Sequence, residues 1–213
     1  YLHHVNNLSL DDNIFEYQNH TVRKYWTKGS TLRLSFVTAS SIDHNIFKLN
    51  YGESLVEINS LSGDFTRNTF WENEASYDIW VEHENDFQII NNFFGKLYGR
   101  GSSSPMGPDG TRGGISTIIN ILSGCGGDTN VDIINNTFAL AEYAIQVGDG
   151  PIVDIKRNIF TELTKIAIDI DLANTTVDVN ENLFWENANN GELGLTYWEA
   201  DPKLVDLWNG DFH

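Results

Sequence analysis

Seven Asn-x-Phe tripeptides recur in one lane of this chain and leave it few folds to choose from. They are Asn13-Ile14-Phe15, Asn45-Ile46-Phe47, Asn68-Thr69-Phe70, Asn92-Phe93-Phe94, Asn136-Thr137-Phe138, Asn158-Ile159-Phe160 and Asn182-Leu183-Phe184. Five residues ahead of each Phe stands an apolar residue: Leu10, Ile42, Phe65, Ile89, Ile133, Ile155 and Val179. The phenylalanines are 32, 23, 24, 44, 22 and 24 residues apart, so the unit is 22 to 24 residues and two copies carry extra length. A period in this range marks a stacked repeat, in which each unit covers the apolar side of the next.

Within the copy at 131–138, Val131 and Ile133 alternate with Asp132, the period of a strand with one buried face. Asn then turns the chain. It tolerates the left-handed region and its amide can bond nearby backbone, so Asn at a fixed position predicts a ladder stacked at the turn. The Phe is expected to point inward. Seven to eleven residues later comes a second apolar strand: Val56 with Ile58, Ile79 with Val81, Ile145 with Val147, Ile168 with Ile170 and Leu193 with Leu195. Helix formers are sparse, and no window keeps apolar residues at i, i+3, i+4 and i+7 over three turns, which argues against a leucine-rich type of coil. The reading is all-β: a single-stranded right-handed parallel β-helix, a solenoid of about seven coils, its hand taken from the crossover rule for parallel strands. Strands spaced about 4.8 Å apart would make a rod of about 34 Å.

These copies resemble the parallel β-helix repeat of the pectate-lyase-like superfamily of secreted carbohydrate-active proteins over residues 8–196. The resemblance implies the fold and an extracellular or cell-surface setting. Lyases, hydrolases, epimerases, phage tailspikes and adhesins share the coil, so it implies no single activity. The stretch from Asn45 to Ile118 is similar to β-helical alginate and chondroitin lyases through Asn45-Ile46-Phe47, Gly52-Glu53, Asn68-Thr69-Phe70 and Val81-Glu82-His83. Those enzymes use a Lys and an Arg to take the uronate proton and neutralise its charge. Here Asn59 and Glu82 fall at those positions, which removes both functions. Glu53 and Glu57 match the calcium-binding acids of those lyases in part. Trp80-Val81-Glu82-His83 looks like the Trp-x-Asp-His motif of pectate lyases, but its strand does not lead directly into an Asn-x-Phe turn. Of the pectin-hydrolase blocks only Asp11-Asp12 is present.

The repeat runs nearly throughout the 213 residues, so the chain reads as one domain. Coils occupy 1–196, with inserted loops near 16–30 and 95–114, and a C-terminal tail over 197–213 covers the last coil or leaves it. The net charge of −17 and pI near 4.5 argue against nucleic acid and anionic membrane surfaces, and no apolar run reaches the length of a membrane span. Cys125 is the single cysteine, so no disulfide forms within the chain. No polar cap precedes the first coil, which predicts further coils or a partner at that end. The Gly-Asp-Phe-His stretch is similar to part of a tail that closes many secreted β-helix proteins, where it normally continues, so further sequence is expected after His213. Of the sequons at Asn7, Asn19, Asn135 and Asn174, Asn135 is expected to be engaged in the turn ladder.

Aligning the second strands by their inward residues lines up Glu57, Trp80, Asn120, Gln146 and Asp169 on the outer face, with Asn59, Glu82, Gly148 and Asp171 two residues on. Trp80, Trp26, Arg100 and Arg112 are the expected ligand contacts, because a cation beside an aromatic ring suits an acidic sugar and paired arginines clamp a carboxylate or sulfate. Calcium is the cofactor considered, held by Glu53 with Glu57 or by Asp169 with Asp171, against the alternative of solvated acids and no cofactor. If the chain carries out chemistry, Glu82, His83, Arg100 and Arg112 are the candidates. The six histidines show no zinc spacing. The favoured expectation is a non-catalytic or structural segment of a larger secreted or cell-surface protein that binds a polysaccharide or spaces other domains. The alternatives are a lyase or hydrolase of acidic polysaccharide and a phage-type tailspike.

Overall fold

The computed structural model describes residues 1–17, 30–83, 85–99, 116–122, 129–171 and 175–204. Among them every regular element is a strand, and all strand pairs are parallel. An eight-stranded sheet stacks the short Asn-x-Phe strands Ile14–Glu16, Ile46–Lys48, Thr69–Trp71, Phe93–Gly95, Thr137–Ala139, Ile159–Thr161 and Asn182–Trp185, with Tyr197–Glu199 as a further rung. A thirteen-stranded sheet forms the other two sides. It is continuous because Ser30–Asp43 and Tyr51–Thr66 run through a corner; Tyr51–Thr66 pairs first with Glu74–Glu82 and then with Asn85–Ile90. The result is a parallel β-sheet solenoid.

Like residues stack because the register holds them level. Leu10, Ile42, Phe65, Ile89, Ile133, Ile155 and Val179 lie opposite one another along one side. The seven tripeptide phenylalanines form a single column, with successive rings stacked at centroid distances of 4.6, 4.5, 4.9, 5.2, 5.0 and 5.1 Å. Each fully buried ring contributes about 1.5–3 kcal/mol through area removed from water, and stacking adds to that.

The turn ladder forms, but its geometry differs from the expectation. The left-handed residue is not the ladder Asn; it is the residue before it, Asp12, His44, Arg67, Asn91, Asn135, Arg157 or Glu181, with φ between 51 and 57°. The ladder Asn instead works as a substitute peptide group. Its backbone N–H donates to Oδ1 of the Asn in the next coil at 2.8–3.0 Å. Its Nδ2 donates to that same oxygen at 3.0–3.1 Å. From Asn45 onward, Nδ2 also reaches back to a carbonyl of the preceding coil, for instance Phe65 from Asn92 at 2.9 Å. An amide combines the donor and acceptor this needs, which explains Asn at every corner. Asn135 is the exposed corner residue rather than a ladder member. A second left-handed corner follows four residues after each ladder Asn, at Tyr17, Leu49, Glu72, Lys96, Leu140, Glu162 and Glu186.

The last coil departs from the expected rhythm. Its second strand is Asn189–Gly191, not the segment around Leu193 and Leu195; Leu195 is 94% exposed. Gly191 decides this, because a Cβ there would lie 1.8 Å from the Ile168 carbonyl oxygen, and only glycine lets the two backbones approach. The tail does not end the stack at Leu195. Tyr197–Glu199 adds a rung, with the Tyr197 ring edge-on to Phe184 at 6.4 Å and Glu199 level with Phe184. Leu204 then packs against the cluster of Phe93, Ala139, Trp71 and Leu140, so the tail doubles back over the Asn-x-Phe sheet. The two ends are chemically unlike. Asn13 Oδ1 accepts no hydrogen bond among the described residues, while each later ladder oxygen accepts two.

Candidate functional site

The outer surface of the second-strand side carries a row of polar and aromatic groups set by strand register. Arg33, Glu57, Trp80, Asn120, Gln146 and Asp169 lie opposite one another on consecutive rungs, and Ser35, Asn59 and Glu82 form the next row. Alternation turns these outward because Val56, Ile58, Ile79, Val81, Ile119 and Ile121 fill the interior. At about 4.8 Å per rung, the first row extends about 24 Å.

Hydrogen bonds tie the row together. Glu57, 2% exposed, accepts from Ser30 Oγ at 2.8 Å and from Asn59 Nδ2 at 3.2 Å, and lies 3.3 Å from Arg33 Nη2. Its charge is therefore met locally. Asn59 is 6% exposed, and its Oδ1 receives no hydrogen bond from the described residues, leaving a buried acceptor beside Glu57. Further along, Thr117 Oγ1 donates to Gln146 Oε1 at 2.5 Å, and Gln146 Nε2 donates to Asp169 Oδ2 at 3.1 Å. The Trp80 ring meets Tyr77 edge-on at 4.8 Å. Burial, and after it the charge of Glu53, pushes the Tyr77 phenol up.

The sequence-derived candidates separate. Trp80, Glu57 and Asp169 share the row, and Glu82 stands opposite Asn59 in the second. His83 is exposed on the corner with φ +66°, and its carbonyl accepts from Asn85 Nδ2 at 2.8 Å and from the Thr129 hydroxyl. It turns the chain instead of joining the row. Glu53 lies four residues from Glu57, about 13 Å along one strand, and Glu57 and Asp169 are four rungs or about 19 Å apart. Asp171 follows the end of Ile166–Ile170 with its N–H on the Val147 carbonyl. The two pairs considered for calcium, Glu53 with Glu57 and Asp169 with Asp171, thus lie on different rungs of this side. Trp26, Arg100 and Arg112 lie outside the described residues.

Two features of this surface escaped sequence reasoning. Arg33 and Ser30 belong to the Glu57 network; the signal for Arg33 was its alternation with Leu32 and Leu34, one 24-residue step before Glu57. The second is the corner where Asp11, Asp12 and His44 place ligand atoms within 4.8 Å of one another. There His44 Nδ1 lies 3.1 Å from Asp43 Oδ2, and Arg67 grips Asp43 through Nε at 2.9 Å and through Nη2. The hydrogen-bonded Arg67 guanidinium holds the Asp43 carboxyl below the usual carboxylate range. These contacts make the corner an ion-pair network between coils. No protein-family model, no curated protein and no solved structure matches the chain.

Proposed function

We propose that the chain is a right-handed parallel β-helix of about seven coils, related to the pectate-lyase-like superfamily. Its role in this reading is that of a non-catalytic, glycan-binding segment of a larger secreted or cell-surface protein. One observation carries this: Trp80, Gln146 and Asp169 of the outer row present aromatic, amide and carboxylate groups set by rung register, near Asn59, whose Oδ1 takes no hydrogen bond from the described residues. A polysaccharide laid across the rungs supplies hydroxyl donors at a regular repeat and apolar ring faces for the indole. The residues opposite one another at Asn59 and Glu82 weigh against lyase chemistry, which needs a base next to a cation. The right hand follows from the crossover rule for parallel strands.

Titration calorimetry with alginate, chondroitin and pectate oligosaccharides, with and without calcium, tests the reading. Trp80→Ala is expected to weaken binding about three- to tenfold, the range for loss of one aromatic contact. Absorbance of unsaturated uronate, followed in parallel, is expected to stay flat. A rising absorbance would overturn the non-catalytic assignment, and no binding to any of the three classes under either condition would overturn the glycan assignment.

A further inference from the structure

A carboxylic acid lies inside the coil. Asp78, on the strand Glu74–Glu82, is 1% exposed, and neither carboxyl oxygen has a hydrogen-bond partner among the described residues. Strand register explains how it got there. Ser54, Tyr77, Thr117 and Tyr143 lie opposite one another, as do Val56, Ile79, Ile119 and Ile145. The intervening residues Leu55, Asp78, Ile118 and Ala144 therefore form one column, and all four are buried. Two successive positions on each of these strands face the interior, so a residue that simple alternation would send to solvent is in the core.

The neighbours on either side, Leu55 and Ile118, have nothing to offer a carboxyl group. The titratable residues of Tyr51–Thr66 are Tyr51, Glu53, Glu57 and Asp64, and those of its own strand are Glu74, Tyr77 and Glu82; Thr117–Ile121 has none. Glu57 is committed to Ser30, Asn59 and Arg33 on the outer face. Burial alone pushes the Asp78 carboxyl well above the ordinary carboxylate range, with no charged neighbour contributing.

We propose that Asp78 is a pH-sensitive element of the solenoid: protonated, it packs as a core residue, and its ionisation loosens the Glu74–Glu82 rung that carries Trp80. The folded chain keeps a proton that the unfolded chain has released above about pH 3.9, so the folded state binds more protons. This contribution to stability is complete below that value and declines as pH rises, by up to about tenfold in the folding equilibrium per pH unit, until the folded group itself ionises. Trp80 lies two residues further along the same strand, so loosening the rung disturbs the outer row. That second consequence rests on the glycan reading above, whereas the stability profile does not.

The test is urea unfolding of the full chain and of Asp78→Asn between about pH 4 and about pH 8. As pH rises above about 5 the parent folding constant is expected to fall relative to the variant, by up to about tenfold per pH unit. Parallel profiles overturn the proposal. Because an uncharged substitution can itself perturb the core, the Asp78 side-chain carboxyl carbon is followed by NMR in the unmodified chain. A resonance that titrates above the surface carboxylates supports the proposal, and one that titrates with them overturns it. Oligosaccharide affinity, read across the same range, is expected to fall with the parent's stability. A divergent stability profile with no binding at any pH would retain the Asp78 assignment and remove only the glycan reading.

Discussion

Replacing Asn136 with alanine tests what holds one coil on the next. Asn136 is 1% exposed; its Oδ1 accepts the Asn92 N–H at 2.8 Å and Asn92 Nδ2 at 3.0 Å. Its own Nδ2 donates to the Ile89 carbonyl at 2.8 Å, to the Ile134 carbonyl at 3.1 Å and to Asn158 Oδ1 at 3.1 Å. Alanine strands the Asn92 N–H and deprives the Ile89 oxygen of a donor, while Asn92 Nδ2 keeps the Phe65 carbonyl at 2.9 Å and the Ile90 carbonyl at 3.2 Å. Each buried group left unpaired costs about 1–3 kcal/mol, so the two together predict a loss of about 2–6 kcal/mol. In a chain of this size that lowers the melting temperature by roughly 5–20 °C. The reference is Asn13→Ala at the open end of the ladder. Asn13 Nδ2 donates to the Asp11 carbonyl at 2.9 Å and to Asn45 Oδ1 at 3.0 Å, but its oxygen accepts nothing among the described residues, so no donor there is stranded and the loss should be about 1 kcal/mol. Urea midpoints followed by tryptophan fluorescence and far-ultraviolet circular dichroism give the comparison, with Thr137→Ala as a neighbouring control. Equal shifts for the two alanine variants would refute the reasoning: the side-chain amides would then matter no more inside the stack than at its end, and the apolar columns alone would hold the coils.

Two further substitutions probe other parts of the coil. In Gly95→Ala the new Cβ falls 2.5 Å from Trp71 Cζ3, so the indole must leave its place under Lys96, whose Nζ sits 4.7 Å from the ring centroid. The expected cost is about 1–3 kcal/mol with a shifted tryptophan emission, and an unchanged melting temperature would count against that packing. Arg67→Met removes the hydrogen-bonding partner that depresses Asp43. A depressed carboxyl contributes stability that is present above its unfolded value of about 3.9 and is lost as pH falls through the lower folded value. The variant should be less stable near neutrality and flatter than the parent below about pH 4, and matching acid-side slopes in midpoint-against-pH plots would show that the pair does not stabilise the fold.

Much of the scaffold was legible because a stack of parallel strands repeats one side-chain pattern at one register. The phenylalanine column and the apolar residues five positions ahead of it could be read directly, and so could the outward row from Glu57 to Asp169, which follows from aligning inward residues. The position of the left-handed corner could not. Asp, His, Arg, Asn and Glu all occupy it, since the amide ladder beside it stabilises the turn whatever the corner side chain is. Displacement of the last coil's second strand to Asn189–Gly191 was equally hidden, because it depends on how closely the Gly191 backbone approaches Ile168. Trp26, Arg100 and Arg112 fall outside the described residues and play no part in the comparison.

From residue order alone came the class of fold, the length of the unit and the identity of the stacked core, since each depends on periodicity along the chain. Tertiary structure decided which polar groups meet. Glu57 finds Arg33 across one coil, Asp43 finds Arg67, and Asp78 finds no partner among the described residues, although Tyr77-Asp78-Ile79 reads locally like any alternating strand. Hydrogen bonding and loss of water depend on what lies on the rung above and the rung below, more than twenty positions away in the chain, and only the folded register brings those neighbours into contact.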